Sequence, residues 1–335
     1  MIGLLGSGSW ATAVVKLLLE QPNAKVCWYV REPEIRQSLA KHGRNNRYLG
    51  EVTIDPARIE ICSTPQEVAD RCDIIYLVIP TAFLHGALSQ IDPATLRRCS
   101  LVSAIKGFVP EADMIVTDYL QHYYHLPEEQ LAIISGPTHA EEVAREQLTF
   151  ITVASSNHTL ADTVMQQLRC RYLNISYSND IRGIQFATAL KNIYAVAAGI
   201  CKGMGSGDNL MAVLVSYAIA EMHAFLQAMN TMPRIDITPQ NMLPYIGDLL
   251  VTCYSQLSRN RTFGTMIGRG YTVKSAQLEM HMIAEGYYAA RSLEQVRKQH
   301  QIDMPIAQAV YMILYENARP DVILRAWQIR TSSNN

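Results

Sequence analysis

Three features are scarce in this 335-residue sequence, and each scarcity excludes a class of protein. Net charge is almost absent, because 29 lysines and arginines face 30 aspartates and glutamates, which argues against a nucleic-acid or anionic-membrane partner. The seven cysteines include no C-x-x-C pair, so no disulfide or zinc framework is predicted and the thiols are expected to be reduced and mostly buried. With only 18 glycines and 14 prolines against 49% apolar residues, a collagen-like or mainly disordered chain is excluded.

Long apolar runs are also missing. The longest charge-free apolar stretch, residues 74–91, contains Pro80, Thr81, His85 and Gly86, so it predicts a strand, a turn and a helix and not a transmembrane segment. Met1 leads directly into an apolar run, which leaves no room for a signal peptide. We therefore expect a cytoplasmic protein without a membrane span, and we expect no metal site.

The first half of the chain alternates short apolar runs with longer amphipathic segments. This alternation predicts an α/β fold with a doubly wound, mostly parallel sheet. Strands are predicted at Ile2–Leu5, Lys25–Tyr29, Ile74–Ile79, Leu101–Ser103 and Leu131–Ile134.

From Arg182 onward the sequence becomes rich in Ala, Leu and Met, and strand-like runs nearly vanish. Long helical stretches are predicted at 184–200, 210–229 and 278–300, whose apolar faces need partners in a helical bundle. Since the length also favours two domains, we expect a first domain at residues 1–181 and an all-helical C-terminal domain at residues 182–335.

A glycine-rich element follows the first predicted strand. The residues from Gly6 to Ala11 form a G-x-G-x-x-A pattern between an apolar run and an Ala/Leu-rich helix. In such a turn Gly6 permits the bend, Gly8 lets a pyrophosphate approach the main chain, and Ala11 allows close helix packing. Because a strand precedes it and a helix follows, the element predicts a Rossmann-type domain that binds a dinucleotide.

The end of the second predicted strand bears on the choice of cofactor. An acidic residue there binds the adenosine ribose hydroxyls of NAD, and an arginine accommodates the 2′-phosphate of NADP. Here Arg31 is followed by Glu32, with Arg36 nearby. The two arginines favour NADP(H), whereas Glu32 would repel the extra phosphate if it faced the ribose, so NAD(H) stays open. The remaining alternative is that Arg31 and Glu32 are both ordinary solvated charges.

Five further segments occur in an order that resembles the bacterial NAD(P)-dependent glycerol-3-phosphate dehydrogenase family. The resemblance runs from the first strand to about Pro305, and its most specific pieces are residues 135–144, 189–193, 205–209, 247–253 and 258–264. It implies reduction of dihydroxyacetone phosphate to sn-glycerol 3-phosphate with NADP(H) or NAD(H). That reaction would feed glycerophospholipid synthesis.

The resemblance also implies a catalytic pair. Lys191 stands at the family's catalytic lysine position, where hydride transfer to a ketone needs a donor that stabilises the developing oxyanion and supplies a proton. From the residues alone, a lysine in so apolar a helix is either a surface side chain with a packed stem or a buried functional cation. Asp248 is its implied partner, and a neighbouring carboxylate favours the ammonium form.

The same resemblance assigns binding residues. Those implied to line the cofactor, besides the glycine turn, are Ser9, Trp10, Arg31, Lys106, Ala140, Arg259, Ile283 and Glu285. Those implied to contact the substrate are Lys106, Gly136, Thr138, Lys191, Asn192, Asp248, Ser258, Arg259 and Asn260. Within the second group, Arg259 can bind a phosphate through two parallel hydrogen bonds, and its two neighbours add directed donors.

Two departures from the family pattern stand close to these residues. The segment 241–246 replaces a glycine-rich approach to Asp248, and His139 replaces an aromatic residue; both changes concern local backbone shape.

Two other functions stay open: a related two-domain reductase of another keto acid or keto phosphate, and a non-catalytic protein that senses NAD(P). The oligomeric state is also open, with a homodimer as one option.

Overall fold

The computed structural model describes residues 1–231, 238–280 and 284–326. Their packing divides the chain into two compact units. The first consists of residues 1–105 and 116–181, and the second of residues 106–115 and the chain from residue 182. The expected first domain, 1–181, therefore needs one correction, because residues 106–115 pack with the helical unit. The periodicity of the sequence does not predict where residues 106–115 pack, because their packing depends on contacts with distant parts of the chain.

Ten strands occur in the described residues. In chain order they are β1 (Ile2–Leu5), β2 (Val26–Tyr29), β3 (Ile59–Cys62), β4 (Ile74–Leu77), β5 (Ser100–Ser103), β6 (Phe108–Val109), β7 (Met114–Ile115), β8 (Leu131–Ser135), β9 (Thr149–Ala154) and β10 (Leu173–Ser178).

Eight of these strands form the sheet of the first unit, in the order β10-β9-β8-β5-β4-β1-β2-β3. The six strands from β3 to β8 in that order are parallel, and β9 runs antiparallel to β8. The order 3-2-1-4-5 defines the doubly wound dinucleotide-binding topology, whose ligands bind where the strand order reverses, next to β1. The predicted Rossmann-type α/β fold is thereby confirmed.

Eight helices accompany this sheet. They are α1 (Ser9–Leu19), α2 (Pro33–His42), α3 (Pro65–Arg71), α4 (Leu84–Leu88), α5 (Pro93–Leu96), α6 (Val116–Tyr124), α7 (Ala140–Ala144) and α8 (His158–Leu168), with short 3-10 turns at Pro56–Arg58, Thr81–Phe83 and Glu128–Gln130. The stretch 74–91 is thus strand, turn and helix, as predicted.

In its described residues, the second unit is helical apart from the two-residue strands β6 and β7, which pair with each other. Its helices are α9 (Ile181–Gly203), α10 (Asp208–Ala228), α11 (Pro239–Met242), α12 (Asp248–Tyr254), α13 (Arg259–Gly268), α14 (Val273–Met280), α15 (Glu285–Gln299) and α16 (Pro305–Tyr315), with a π-helical turn at Leu243–Gly247. The stretch 278–300, expected to be helical throughout, instead contains the end of α14 and all of α15, and Ala284 between them is extended.

Helices α9 and α13 cross at very short range. A Cβ atom added at Gly264 of α13 would lie 2.1 Å from the carbonyl oxygen of Val196, and one at Gly199 of α9 would lie 2.1 Å from that of Arg261. Only residues without a Cβ allow two backbones to approach so closely. This crossing fixes the helices that carry Asn192 and Asn260 against each other.

Within the part of the chain that the structure describes, two helices are long and apolar enough to be considered as membrane spans. The most apolar 18 residues of α9 are all buried inside the structure, and those of α10 are 44% buried. The composition of this stretch of α9 is that of a core helix, because its polar residues Gln185, Thr188, Lys191 and Asn192 are buried as well. Six of the seven cysteines are buried as expected, and Cys170 is half-buried.

Candidate active site

The turn between β1 and α1 is shaped by two glycines. Gly6 has a φ of +137°, and a Cβ atom there would lie 2.1 Å from the carbonyl oxygen of Val78, just beyond β4. Gly8 precedes α1, and a Cβ atom at this position would meet no other atom within 4 Å. Gly6 is thus required by the bend, and Gly8 presents bare backbone to open space, as the sequence predicts.

The first turn of α1 fits the pyrophosphate of a dinucleotide. No side chain caps the helix, its first turn holds no acidic residue, and the indole Nε1 of Trp10 is buried without a hydrogen-bond partner in the described residues. Ala11 is fully buried in the sheet-side core. Uncapped backbone N–H groups at a helix N-terminus attract phosphate oxygens. Ser9 and Trp10 lie in this first turn, and their roles toward the cofactor stay predictions.

Asn45 supports this turn and was not predicted from the sequence. Its buried side-chain nitrogen donates to the carbonyl oxygen of Ser7 and to Oγ1 of Thr12, both at 2.8 Å. Its side-chain oxygen accepts from the backbone nitrogens of Arg47 and Tyr48. A single asparagine in a polar loop carries no motif, so only its burial reveals the role.

The charges after β2 form one hydrogen-bonded group. Ser7 donates its hydroxyl to Oε2 of Glu32 at 2.6 Å, and Nη2 of Arg31 lies 2.9 Å from Oε1. Arg36 donates Nη1 to the carbonyl oxygens of Val30 and Arg31, both at 2.9 Å. Burial raises the pKa of Glu32, but the hydrogen bond from Ser7 and the charge of Arg31 outweigh it, so the pKa lies below its ordinary value. Glu32, with only 12% of its side chain exposed, is therefore not an ordinary solvated charge, whereas 59% of the Arg31 side chain is exposed.

The segment after β8 begins with a second glycine whose backbone conformation is unfavourable for other residues. Gly136 has a φ of +137°, and a Cβ atom there would lie 2.7 Å from the carbonyl oxygen of Phe150. Thr138 donates its hydroxyl to the carbonyl oxygen of Gly136 at 3.2 Å. His139 has extended backbone before α7, whose first residue, Ala140, is buried. The roles of Gly136 and Thr138 toward substrate, and of Ala140 toward cofactor, stay predictions.

The second unit contains a buried cluster of three charges. Lys191 lies on α9, Asp248 begins α12, and Lys106 precedes β6. Lys191 Nζ donates to Oδ1 of Asp248, and Lys106 Nζ lies 3.2 Å from Oδ2. The side chain of Asp248 is fully buried, that of Lys191 is 5% exposed, and that of Lys106 is 19% exposed. Of the two alternatives for Lys191, the structure therefore selects the buried cation.

The environment of Lys191 makes its ammonium group acidic. Burial lowers its pKa to about 7, although the carboxylate of Asp248 opposes this change, and Lys106 adds to it as a second positive charge. Desolvation disfavours a charged group, and a nearby opposite charge favours it. The sequence argument considered only the aspartate; burial is the larger influence. A lysine poised near neutral pH can give or accept a proton.

Two asparagines extend the cluster through hydrogen bonds. Asn192 donates its side-chain nitrogen to the carbonyl oxygen of Lys106 at 2.8 Å and accepts from the side-chain nitrogen of Asn260 at 2.9 Å. The side-chain oxygen of Asn260 accepts from the backbone nitrogen of Gly286 at 2.9 Å. The structure thus brings together five predicted residues: Lys106, Lys191, Asn192, Asp248 and Asn260.

The start of α13 carries the remaining predicted phosphate ligands. Ser258 caps the helix, its Oγ accepting from the backbone nitrogen of Arg261 at 3.3 Å, and Arg259 is the half-buried first helical residue. Glu285 begins α15, next to Gly286. Ile283, another predicted cofactor residue, lies outside the described residues. The cofactor roles of Lys106, Arg259 and Glu285, all in the second unit, stay predictions.

The departure at 241–246 has a structural counterpart. Residues Leu243–Gly247 form a π-helical turn that leads directly into α12 and Asp248. Such turns are rare and often mark functional sites. One turn after Asp248, the hydroxyl of buried Thr252 donates to the carbonyl oxygen of Asp248 at 2.5 Å. Sequence reasoning passed over Thr252, although its spacing of four residues from Asp248 places both on one helix face.

A dinucleotide turn in a doubly wound sheet, together with a buried lysine held by an aspartate in a helical unit, defines a nicotinamide-dependent dehydrogenase. The models of the NAD-dependent glycerol-3-phosphate dehydrogenase N-terminus and C-terminus match residues 1–161 and 180–325. The chain belongs to the NAD(P)-dependent glycerol-3-phosphate dehydrogenase family.

Individual relatives agree with this assignment. A protein named glycerol-3-phosphate dehydrogenase (NAD(P)+) from Syntrophotalea carbinolica is 36% identical over 322 residues, which cover 95% of this chain and 94% of the relative. A protein of the same name from Staphylococcus haemolyticus is 34% identical over 324 residues, which cover 94% of this chain and 94% of the relative. A crystal structure of glycerol-3-phosphate dehydrogenase from Coxiella burnetii superposes with a TM-score of 0.86 at 26% identity and covers 98% of each chain. The resemblance predicted from the sequence is confirmed.

Proposed function

We propose that this protein reduces dihydroxyacetone phosphate to sn-glycerol 3-phosphate, reversibly, with NADH or NADPH. The observation that carries the proposal is the buried cluster of Lys191, Asp248 and Lys106 in a chain of this family. The product is the backbone of glycerophospholipids, so we place the reaction at the entry to glycerophospholipid synthesis.

In the proposed reaction, the bound nicotinamide supplies the hydride. Lys191 donates a hydrogen bond to the carbonyl oxygen of the substrate, stabilises the negative charge that develops there, and transfers its proton to it. Asp248 holds the lysine nitrogen in place through Oδ1. With a pKa of about 7, Lys191 suits both directions of the reaction near neutral pH.

The second lysine has a different proposed role. Lys106 is more exposed than Lys191 and shares the carboxylate of Asp248 through Oδ2. Its carbonyl oxygen is fixed by Asn192. We assign it to binding of the substrate, where its positive charge compensates the negative charge of the phosphate.

The phosphate of the substrate is assigned to the start of α13. Arg259 supplies a positive charge, Ser258 supplies a hydroxyl donor, and the helix adds its positive dipole end. Asn260 is the less accessible of the predicted ligands, since both ends of its amide group already bind Asn192 and Gly286. Its proposed contribution to phosphate binding is therefore indirect: it fixes the start of α13 against α9 and the start of α15.

Cofactor and substrate are assigned to different units. We propose that the first unit, through Gly6, Gly8, Ser9 and the first turn of α1, binds the dinucleotide, and that the helical unit binds the substrate. We also propose a cytoplasmic protein, with a homodimer as the assembly that light scattering of the purified chain would test.

A substrate panel tests the function. Purified protein with NADH or NADPH should lose absorbance at the nicotinamide band when dihydroxyacetone phosphate is added, and lose little with a 2-keto acid that lacks a phosphate. Arg259→Ala should raise the KM for dihydroxyacetone phosphate by about ten- to a hundredfold, because a charge-assisted pair is worth roughly 1.5–3 kcal/mol.

Arg269→Ala, an exposed arginine at the other end of α13, is the matched control and should leave the KM unchanged. A faster reaction with the unphosphorylated keto acid would identify a related reductase instead. Tight dinucleotide binding with no turnover of any substrate would identify a sensing protein. Either result would refute the proposed function.

A further inference from the structure

Glu32 is held against the glycine turn, which makes it more than a surface charge. Its side chain is only 12% exposed. One carboxylate oxygen accepts from the hydroxyl of Ser7, the residue between Gly6 and Gly8, at 2.6 Å, and the other lies 2.9 Å from Arg31. The carboxylate is therefore fixed beside the backbone that faces the pyrophosphate.

The two arginines nearby are already engaged. Arg36 uses Nη1 for the carbonyl oxygens of Val30 and Arg31, and so stabilises the backbone after β2. Arg31 pairs with Glu32, and its guanidinium carbon lies 5.0 Å from the ring centroid of Phe83. The charge of Arg31 is thus compensated by the carboxylate, and at 59% exposure its side chain is also the most solvated member of the group.

The consequence concerns the adenosine ribose. The ribose that adjoins the pyrophosphate carries two hydroxyls in NADH, whereas NADPH carries a 2′-phosphate with a charge of about −2. A fixed carboxylate accepts hydrogen bonds from the two hydroxyls and repels the phosphate. A 2′-phosphate would have to take Arg31 from Glu32 and leave a partly buried carboxylate with less compensation.

We propose that Glu32 selects the cofactor and gives the protein a preference for NADH over NADPH. This reverses the preference that Arg31 and Arg36 suggested from the sequence. The low pKa of the Glu32 carboxyl supports the proposal, because the group is then ionised throughout the neutral range. The proposal rests on the dinucleotide-binding role of the first unit and is independent of which ketone the protein reduces.

The test is direct binding of each dinucleotide to the full chain without substrate. Titration calorimetry on the wild type should give a Kd for NADH at least about tenfold lower than for NADPH. Glu32→Gln removes the negative charge and keeps the shape, so it should weaken NADH binding, strengthen NADPH binding and shift the ratio of the two constants at least about tenfold toward NADPH. Because both constants come from one sample, a partly unfolded variant does not change their ratio.

Glu34→Gln is the matched control. It makes the same change in charge two residues later, where the side chain is 56% exposed and pairs only loosely with Arg47 at 3.8 Å. The ratio of the two constants should stay within about twofold of the wild-type ratio.

Three results would overturn the proposal. The first is a wild type that binds NADPH at least as tightly as NADH, and the second is a Glu32→Gln variant with an unchanged ratio. The third is an NADPH preference that Arg31→Ala abolishes, which would show that Arg31 leaves Glu32 for the 2′-phosphate. A protein that binds as proposed but does not reduce dihydroxyacetone phosphate would refute the proposed function and leave the role of Glu32 standing.

Discussion

At the scale of single residues, the chemistry depends on what burial does to Lys191. A lysine on the surface keeps its proton far above neutral pH, and an aspartate partner would hold it still more firmly. Here the side chain is enclosed in the helical unit, and desolvation lowers its pKa to about 7 despite Asp248. Lys191 was predicted as the catalytic residue from the family pattern, whereas its low pKa follows only from its three-dimensional surroundings.

This acidity predicts a pH dependence. In the proposed reaction, reduction needs the protonated lysine, so kcat/KM for dihydroxyacetone phosphate should be at its plateau below pH 7 and fall about tenfold per pH unit above it. In Asp248→Asn the carboxylate that raises the pKa is gone, so the fall should begin at lower pH, by about 1–3 units. Rates measured across pH 5–9, with the oxidation reaction showing the opposite slope, check this.

Asp162→Asn, an exposed position on α8, provides the control and should reproduce the wild-type profile. A decline in Asp248→Asn at the same pH as in the wild type would mean that the decline does not report Lys191.

At the scale of secondary structure, the five strands predicted from apolar runs all exist, and three strands of the main sheet were missed. β3 and β10 form the two edges of the sheet. Both interrupt their apolar residues with exposed or half-buried polar ones, as in Leu173–Ser178, so neither has the continuous apolar run of a central parallel strand. Most residues of β9 are apolar or buried. Its antiparallel direction beside β8, however, depends on tertiary packing.

The close crossing of α9 and α13 predicts that a larger residue at Gly264 lowers both stability and activity. Gly264→Ala places a methyl group 2.1 Å from the carbonyl oxygen of Val196, so the helices must separate. We expect a loss of about 1–3 kcal/mol in the free energy of unfolding. We also expect a lower kcat/KM, because Asn192 and Asn260 face each other across the same pair of helices. Chemical denaturation and steady-state kinetics measure both.

Gly86→Ala in α4 is the matched control, since an added Cβ meets no other atom within 4 Å. It should leave activity unchanged and stabilise the helix by up to about 1 kcal/mol. An unfolding free energy for Gly264→Ala equal to that of the wild type would contradict the close-crossing account.

At the scale of the whole molecule, the net charge of −1 hides an uneven distribution. It argues against polyanion binding, yet Lys106 and Lys191 share one aspartate in the helical unit, and Arg259 begins a helix in the same unit. A small pocket for phosphate-bearing ligands needs only such a local excess. The domain order was predictable from composition, whereas the transfer of residues 106–115 to the helical unit, which gives Lys106 its partner, was not.

We propose that Lys191 performs the proton chemistry of dihydroxyacetone phosphate reduction, and the turnover of two variants on the same helix is the measurement that tests this role. Lys191→Ala should lower turnover by at least about a hundredfold, while the Kd for NADH stays within about twofold of the wild-type value because the dinucleotide turn is in the other unit. Lys202→Ala, an exposed lysine at the end of the same helix, should keep the wild-type rate. A near-wild-type turnover in Lys191→Ala would contradict the account.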